Sequence, residues 1–97
     1  MIEVIALEFQ VGQIVYSKDG HDKGQTMMVL SVEDRYLYLA NGKTRMLTKP
    51  KRKKIIHVQP INYVDAVMAE KLTQNEYVLD SDIRKAIKSY QEKAADC

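Results

Sequence analysis

Residues 13–48, QIVYSKDGHDKGQTMMVLSVEDRYLYLANGKTRMLT, decide the fold. Short β-branched and aromatic runs alternate here with glycine-bearing breaks, the pattern of strands joined by turns. Residues 13–18 (QIVYSK) end at Asp19-Gly20, and residues 25–32 (QTMMVLSV) follow Gly24. Residues 35–40 (RYLYLA) follow the polar break Glu33-Asp34. Asn41-Gly42 is the strongest hairpin signal, because both residues tolerate positive φ. Residues 45–48 are then expected as the returning strand. Pro50 interrupts, and residues 54–59 (KIIHVQ) supply one more short strand before Pro60.

Strands spaced by roughly 8–12 residues suggest a small barrel or sandwich. In residues 35–40, Tyr36 and Tyr38 fall on one face of the strand and Leu37 and Leu39 on the other. The leucines are expected in the core. The tyrosines then line a surface or pack beneath the C-terminal segment, and Tyr16 is expected inside.

After Pro60 the period changes. Asn62 is a candidate cap, with Asp65 at the favourable end of a helix dipole. Val64, Val67, Met68 and Leu72 recur at helical spacing. A second helix is expected after Asp80 or Ser81, with Ile83, Ala86, Ile87 and Tyr90 as its apolar stripe and Arg84, Lys85, Lys88 and Glu92 on its outer face. Residues 73–79 (TQNEYVL) give no clear signal.

The charge is segregated. Residues 43–54, KTRMLTKPKRKK, hold seven Lys or Arg and no acid, whereas the rest of the chain holds eight bases and thirteen acids. The formal net charge of +2 thus hides an acidic body with one positive patch. A charge run is ordinarily just a solvated face. Here no acids are interleaved, so the mutual repulsion calls for an external polyanion, for which a nucleic-acid backbone is the natural candidate.

The chain of 97 residues is expected to be one small domain. Its single cysteine, Cys97, cannot form an internal disulfide and is read as an inert end residue. The start, MIEVIALEF, lacks the basic lead and apolar length of a signal peptide. No run approaches the roughly 18 apolar residues of a membrane span. A soluble cytoplasmic protein is the expectation. His21 and His57 have no ligand-spaced companions, so no metal site and no cofactor are expected. No nucleophile constellation or nucleotide-binding loop is present, and Asp80 and Asp82 are better read as helix-capping acids than as a catalytic pair. The expectation is a non-enzyme.

Residues 12–29, GQIVYSKDGHDKGQTMMV, carry a more specific signal. A strand leads into a loop with Gly20, Lys23 and Gly24, and an apolar strand follows. This resembles the KOW motif of RNA-binding SH3-like barrels. Glycines there allow a tight turn that brings backbone N–H groups near a phosphate, and Lys23 adds a mobile cation. With the later NGK turn and KPKRKK run, the chain is similar to the ribosomal-protein-like group that includes the fourteen-e, six-e and twenty-seven-e proteins. It looks closest to their short bacterial relatives, the KOW-domain RNA-binding proteins. The likeness covers about residues 9–60, and SDIRKAIKSY (residues 81–90) looks like the helix that ends those relatives.

The resemblance implies a mainly β fold with C-terminal helices: an SH3-like (KOW) five-stranded β-barrel plus two α-helices. Residues 1–8 would be an N-terminal extension, 9–60 the barrel and 61–97 a helical segment packed on it. It implies RNA as partner, most plausibly ribosomal RNA or the ribosome, with a role in translation and no membrane contact. The implied RNA-binding residues are Lys18, Gly20, His21, Lys23 and Gly24 in the loop, and Lys43, Arg45, Lys49, Lys51, Arg52, Lys53 and Lys54 in the basic hairpin. Asp19 and Asp22 place two negative charges in that loop and oppose a phosphate there. Tyr36 and Tyr38 are possible base-stacking residues, set against the plainer reading of packing on the helices. The competing function is a protein-interaction module of a transcription or translation factor, with no direct RNA role.

Overall fold

The computed structural model describes residues 9–95; the expected N-terminal extension and Cys97 lie outside them. Five strands form one antiparallel sheet: β1 (Gln13–Ser17), β2 (Thr26–Glu33), β3 (Tyr36–Ala40), β4 (Lys51–Lys54) and β5 (Val58–Val64). A 3-10 turn, Ile55–His57, joins β4 to β5, and two helices follow, α1 (Ala66–Thr73) and α2 (Asp80–Ala95). The spatial order is β4-β3-β2-β1-β5. Among the described residues no ladder joins β4 to β5, so the sheet is open rather than a closed barrel. β4 has only four residues before the 3-10 turn redirects the chain, which leaves little edge to close with.

Alternation along the strands divides the core into two layers. Val15, Met27, Val29, Leu37 and Leu39 point to one face, which Phe9, Ile55 and Val58 complete. Ile14 and Met28 point to the other, where Met68 of α1 and Ile83, Ala86 and Ile87 of α2 cover them. The adjacent pair Met27-Met28 therefore serves both layers, each side chain fully buried. Burial of such side chains contributes about 1.5–3 kcal/mol apiece.

Several local expectations need correction. Residues 45–48 are not a strand. Asn41 Oδ1 instead accepts from the backbone N–H groups of Lys43, Thr44 and Arg45, at 2.9, 3.0 and 2.9 Å, folding residues 41–45 into a compact loop. A side chain that satisfies three amides replaces the two-residue hairpin expected from Asn-Gly. The returning strand is the basic run itself, β4. Pro60 does not end a strand. It sits inside β5, opposite Val15, on a sheet edge next to a register shift, where proline is tolerated.

The extension of β5 to Val64 also moves the first helix. Its cap is Asp65, whose Oδ1 accepts from Met68 N–H at 3.0 Å, and not Asn62. Asn75, in the left-handed conformation at φ 58°, stops α1, with Glu76 N–H reaching back to the Lys71 carbonyl at 2.9 Å. Leu79 then precedes α2, and its N–H is accepted by Asp82 Oδ2 at 2.9 Å, so Asp82 caps the helix. Tyr16 lies on the surface, 42 % exposed, and not in the core.

Candidate nucleic-acid interface

The strand register sorts the basic run. Lys53 stands opposite Leu37 and Lys51 opposite Leu39, on the face of the inner core layer. Lys54 and Arg52 stand opposite Tyr36 and Tyr38, on the other face. One contiguous run of cations therefore divides between two surfaces.

On the inner side the cations meet the loop of residues 18–24. Arg45 grips Asp22 with two parallel bonds, Nε to Oδ1 at 3.0 Å and Nη2 to Oδ2 at 3.1 Å. The Asp22 side chain is almost fully buried. The hydrogen bond from Arg45 holds its carboxyl below the ordinary aspartate range; burial opposes this, and the positive fields of Arg45, Lys51 and Lys53 reinforce it. Lys53 is buried and donates to the Asp19 carbonyl at 2.6 Å, with the Asp19 carboxylate 3.8 Å away. The same carboxylate accepts from His57 Nδ1 at 2.6 Å. Asp22 is thus buried against Arg45, whereas the Asp19 carboxylate stays exposed at the loop surface. Both tie the loop to the basic segment.

Part of the loop backbone is spent as well. Gly24 N–H donates to the Ser17 carbonyl at 2.9 Å and Lys23 N–H to the Gly20 carbonyl at 3.2 Å, so these amides are not held out to a phosphate as expected. Gly20 has φ 81°, and a Cβ there would sit 3.2 Å from Lys53 Nζ. The glycine serves the passage of that lysine. The loop exposes the side chains of Lys18, His21 and Lys23, and with them the carboxylate of Asp19.

Three members of the expected set, Arg45, Lys53 and more loosely Arg52, therefore have internal carboxylate neighbours. Arg52 Nε lies 3.8 Å from the exposed Glu33, a contact of little energetic weight. Among the described residues, Lys43, Lys49, Lys51 and Lys54 have no carboxylate within 4.0 Å. Internal pairing leaves these four lysines, and Lys18 and Lys23, without a carboxylate partner among the described residues, with Lys51 and Lys54 on opposite faces of the sheet.

Tyr36 and Tyr38 are half-buried beside this patch and are not among the side chains packed against the helix-side core. The Arg52 guanidinium lies 3.5 Å over the Tyr36 ring, and the Tyr38 hydroxyl donates to Glu33 Oε1 at 3.0 Å. One face of Tyr36 is thus already occupied by a cation. His57 lies in the 3-10 turn rather than in a strand.

Residues that the sequence reading left aside also gather. Arg84, Lys85 and Lys88 of α2 line a cleft of about 880 Å³ together with Lys43. Their spacing on the helix was visible, but nothing in the linear order placed them beside Lys43. Among the described residues no three of His, Cys, Asp and Glu come together as a metal site requires, and no helix is long and apolar enough to cross a membrane. Compared with known proteins, the chain matches no family model and no curated protein.

Proposed function

We propose that this protein binds structured RNA, most plausibly ribosomal RNA, through its phosphate backbone, and that its sheet is an open variant of the SH3-like KOW architecture. The observation that carries the reading is the set of lysines left without a carboxylate partner among the described residues: Lys43, Lys49, Lys51 and Lys54, with Lys18 and Lys23 on the adjoining loop. Unpaired cations at this density repel one another, and a polyphosphate relieves that repulsion while releasing counterions. The meander order of the sheet and the glycine-bearing loop between β1 and β2 support the architectural half of the reading.

Phosphate contacts of this kind position a protein on RNA and carry little base specificity. Tyr36, with Arg52 stacked on one face, offers a single remaining ring face to an unpaired base. Arg45 and Lys53 act as positioning residues: they hold the loop of residues 18–24 against the basic run.

The test is salt-titrated binding of the full chain to a ribosomal RNA fragment. With four to six phosphate contacts, log K should fall against log salt with a slope of roughly −3 to −5. No binding in dilute buffer would end the proposal.

A further inference from the structure

The basic run is not the only place where unpaired cations face one another. A cleft of about 880 Å³ lies between the loop of residues 41–45, the start of β2 and the outer side of α2. Ser81, Arg84, Lys85, Lys88 and Gln91 form its helical wall. These positions share one side of the helix, opposite the buried stripe of Ile83, Ala86 and Ile87. Lys43 and Thr44 form the facing wall, and Gln25 and Thr26 its far end. Among the described residues no carboxylate lines the cleft.

The cleft is a built feature of the fold. Arg84 Nη1 donates to the Gly42 carbonyl at 2.7 Å and fastens the loop to the helix. Gly42 has φ 76°, and a Cβ there would collide with the Asp80 carbonyl and come within 2.8 Å of Arg84 Cγ, so loop and helix touch backbone to backbone. Asn41 Nδ2 and Thr44 Oγ1 both donate to Gln25 Oε1, at 2.8 and 3.1 Å, which ties the loop to the start of β2. The acids of the first turn of α2 are committed elsewhere: Asp80 Oδ1 accepts from Leu47 N–H at 2.8 Å and Asp82 Oδ2 from Leu79 N–H at 2.9 Å. Lys43, Lys85 and Lys88 have no carboxylate partner among the described residues.

We propose that this cleft is a second phosphate-binding site, in which Lys43, Lys85 and Lys88 neutralise the backbone of an RNA strand that continues from the β4 patch. The inference rests on the RNA-binding reading and extends its footprint to the helix. Ile87 is the only apolar side chain in the lining and no aromatic ring is present, so the site has no platform for a base and is suited to phosphate and sugar. Lys43 stands in both the basic run and the cleft, and it joins the two.

Two measurements on the full chain test this, with a labelled oligouridylate as the probe. In amide NMR titrations, signals of residues 41–45 and 81–91 should shift together with those of residues 51–54. In anisotropy titrations, Lys85→Gln with Lys88→Gln should reduce the magnitude of the salt slope by about 1.4, and Lys51→Gln with Lys54→Gln by a similar amount, since each lost single-strand contact removes about 0.7. Unchanged thermal melting of each double variant would show that the fold is intact. Shifts confined to residues 51–54, with the wild-type slope retained by the helix variant, would overturn the cleft and leave the proposed function standing. Shifts in the cleft with a null result for the β4 variant would support the cleft and remove the β4 site. An absence of shifts in both segments would overturn the cleft, while the salt titration with the ribosomal RNA fragment decides the proposed function separately.

Discussion

Asp22 and Arg45, twenty-three positions apart in the chain, form a two-pronged ion pair in which the Asp22 side chain is almost fully buried and the Arg45 side chain 30 % exposed. The pair converts what looks in the sequence like an acidic intrusion into a basic loop into the clasp that holds two basic segments together. Replacing Arg45 with Ala strands the Asp22 carboxylate away from water, a loss of about 1–3 kcal/mol. The partial exposure of Arg45 places the expected effect below that of a fully buried pair. Urea unfolding of the variant against wild type measures it; an unchanged midpoint would remove the clasp.

The same pair sets a pH dependence. The folded-state pKa of Asp22 lies below its ordinary value of 3.8. Its contribution is therefore complete above the ordinary value and is lost as pH falls through the lower folded one. Asp22→Asn should be less stable than wild type at neutral pH, and the gap should close as pH falls below the ordinary value of 3.8 and the wild-type carboxylate takes up its proton. Denaturant midpoints of the two proteins across that range give the difference directly, and a gap that is constant with pH would contradict the assignment.

Lys53 and Lys54 are neighbours with different work. Lys53 is buried with its ammonium 2.6 Å from the Asp19 carbonyl, while Lys54 is exposed. Lys53→Met should cost about 1–3 kcal/mol, as expected for a lost charged hydrogen bond. Lys54→Gln should change stability by less than about 0.5 kcal/mol and lower the RNA salt slope instead. Equal stability losses for the two variants would mean that the strand register does not separate them.

Gly42 is the third point of leverage. Its positive φ and its contact with α2 leave no room for a side chain. Gly42→Ala should destabilise the protein by more than about 1 kcal/mol. Because the glycine fastens the cleft wall, the same change should also perturb the amide signals of residues 81–91. A neutral substitution would show that loop and helix are not held in contact.

In the inner core layer, Leu39 is fully enclosed by strand neighbours. Leu39→Ala should cost about 2–5 kcal/mol through lost burial and the cavity left behind. A smaller loss would mean that the open sheet relaxes around the gap.

The sequence by itself determined that short strands form a β-sheet, the burial of Leu37 and Leu39, the stripe of α2 and the concentration of positive charge in residues 43–54, but not the open edge or the strand at residues 51–54. The features it determined follow from periodicities and charge counts within short windows, where neighbours in the chain are neighbours in space. Only the tertiary structure decided which cations are free. Arg45 and Lys53 look the same as Lys49 and Lys54 along the chain, yet the first two meet acids from a loop twenty to thirty-odd residues earlier. It also decided that the basic run is a strand, because Asn41 binds three amides that a hairpin would otherwise have used. And it brought Lys43 to face Lys85 and Lys88 across a cleft. Electrostatic pairing acts through space over a few ångströms, and the distance along the chain carries no record of it.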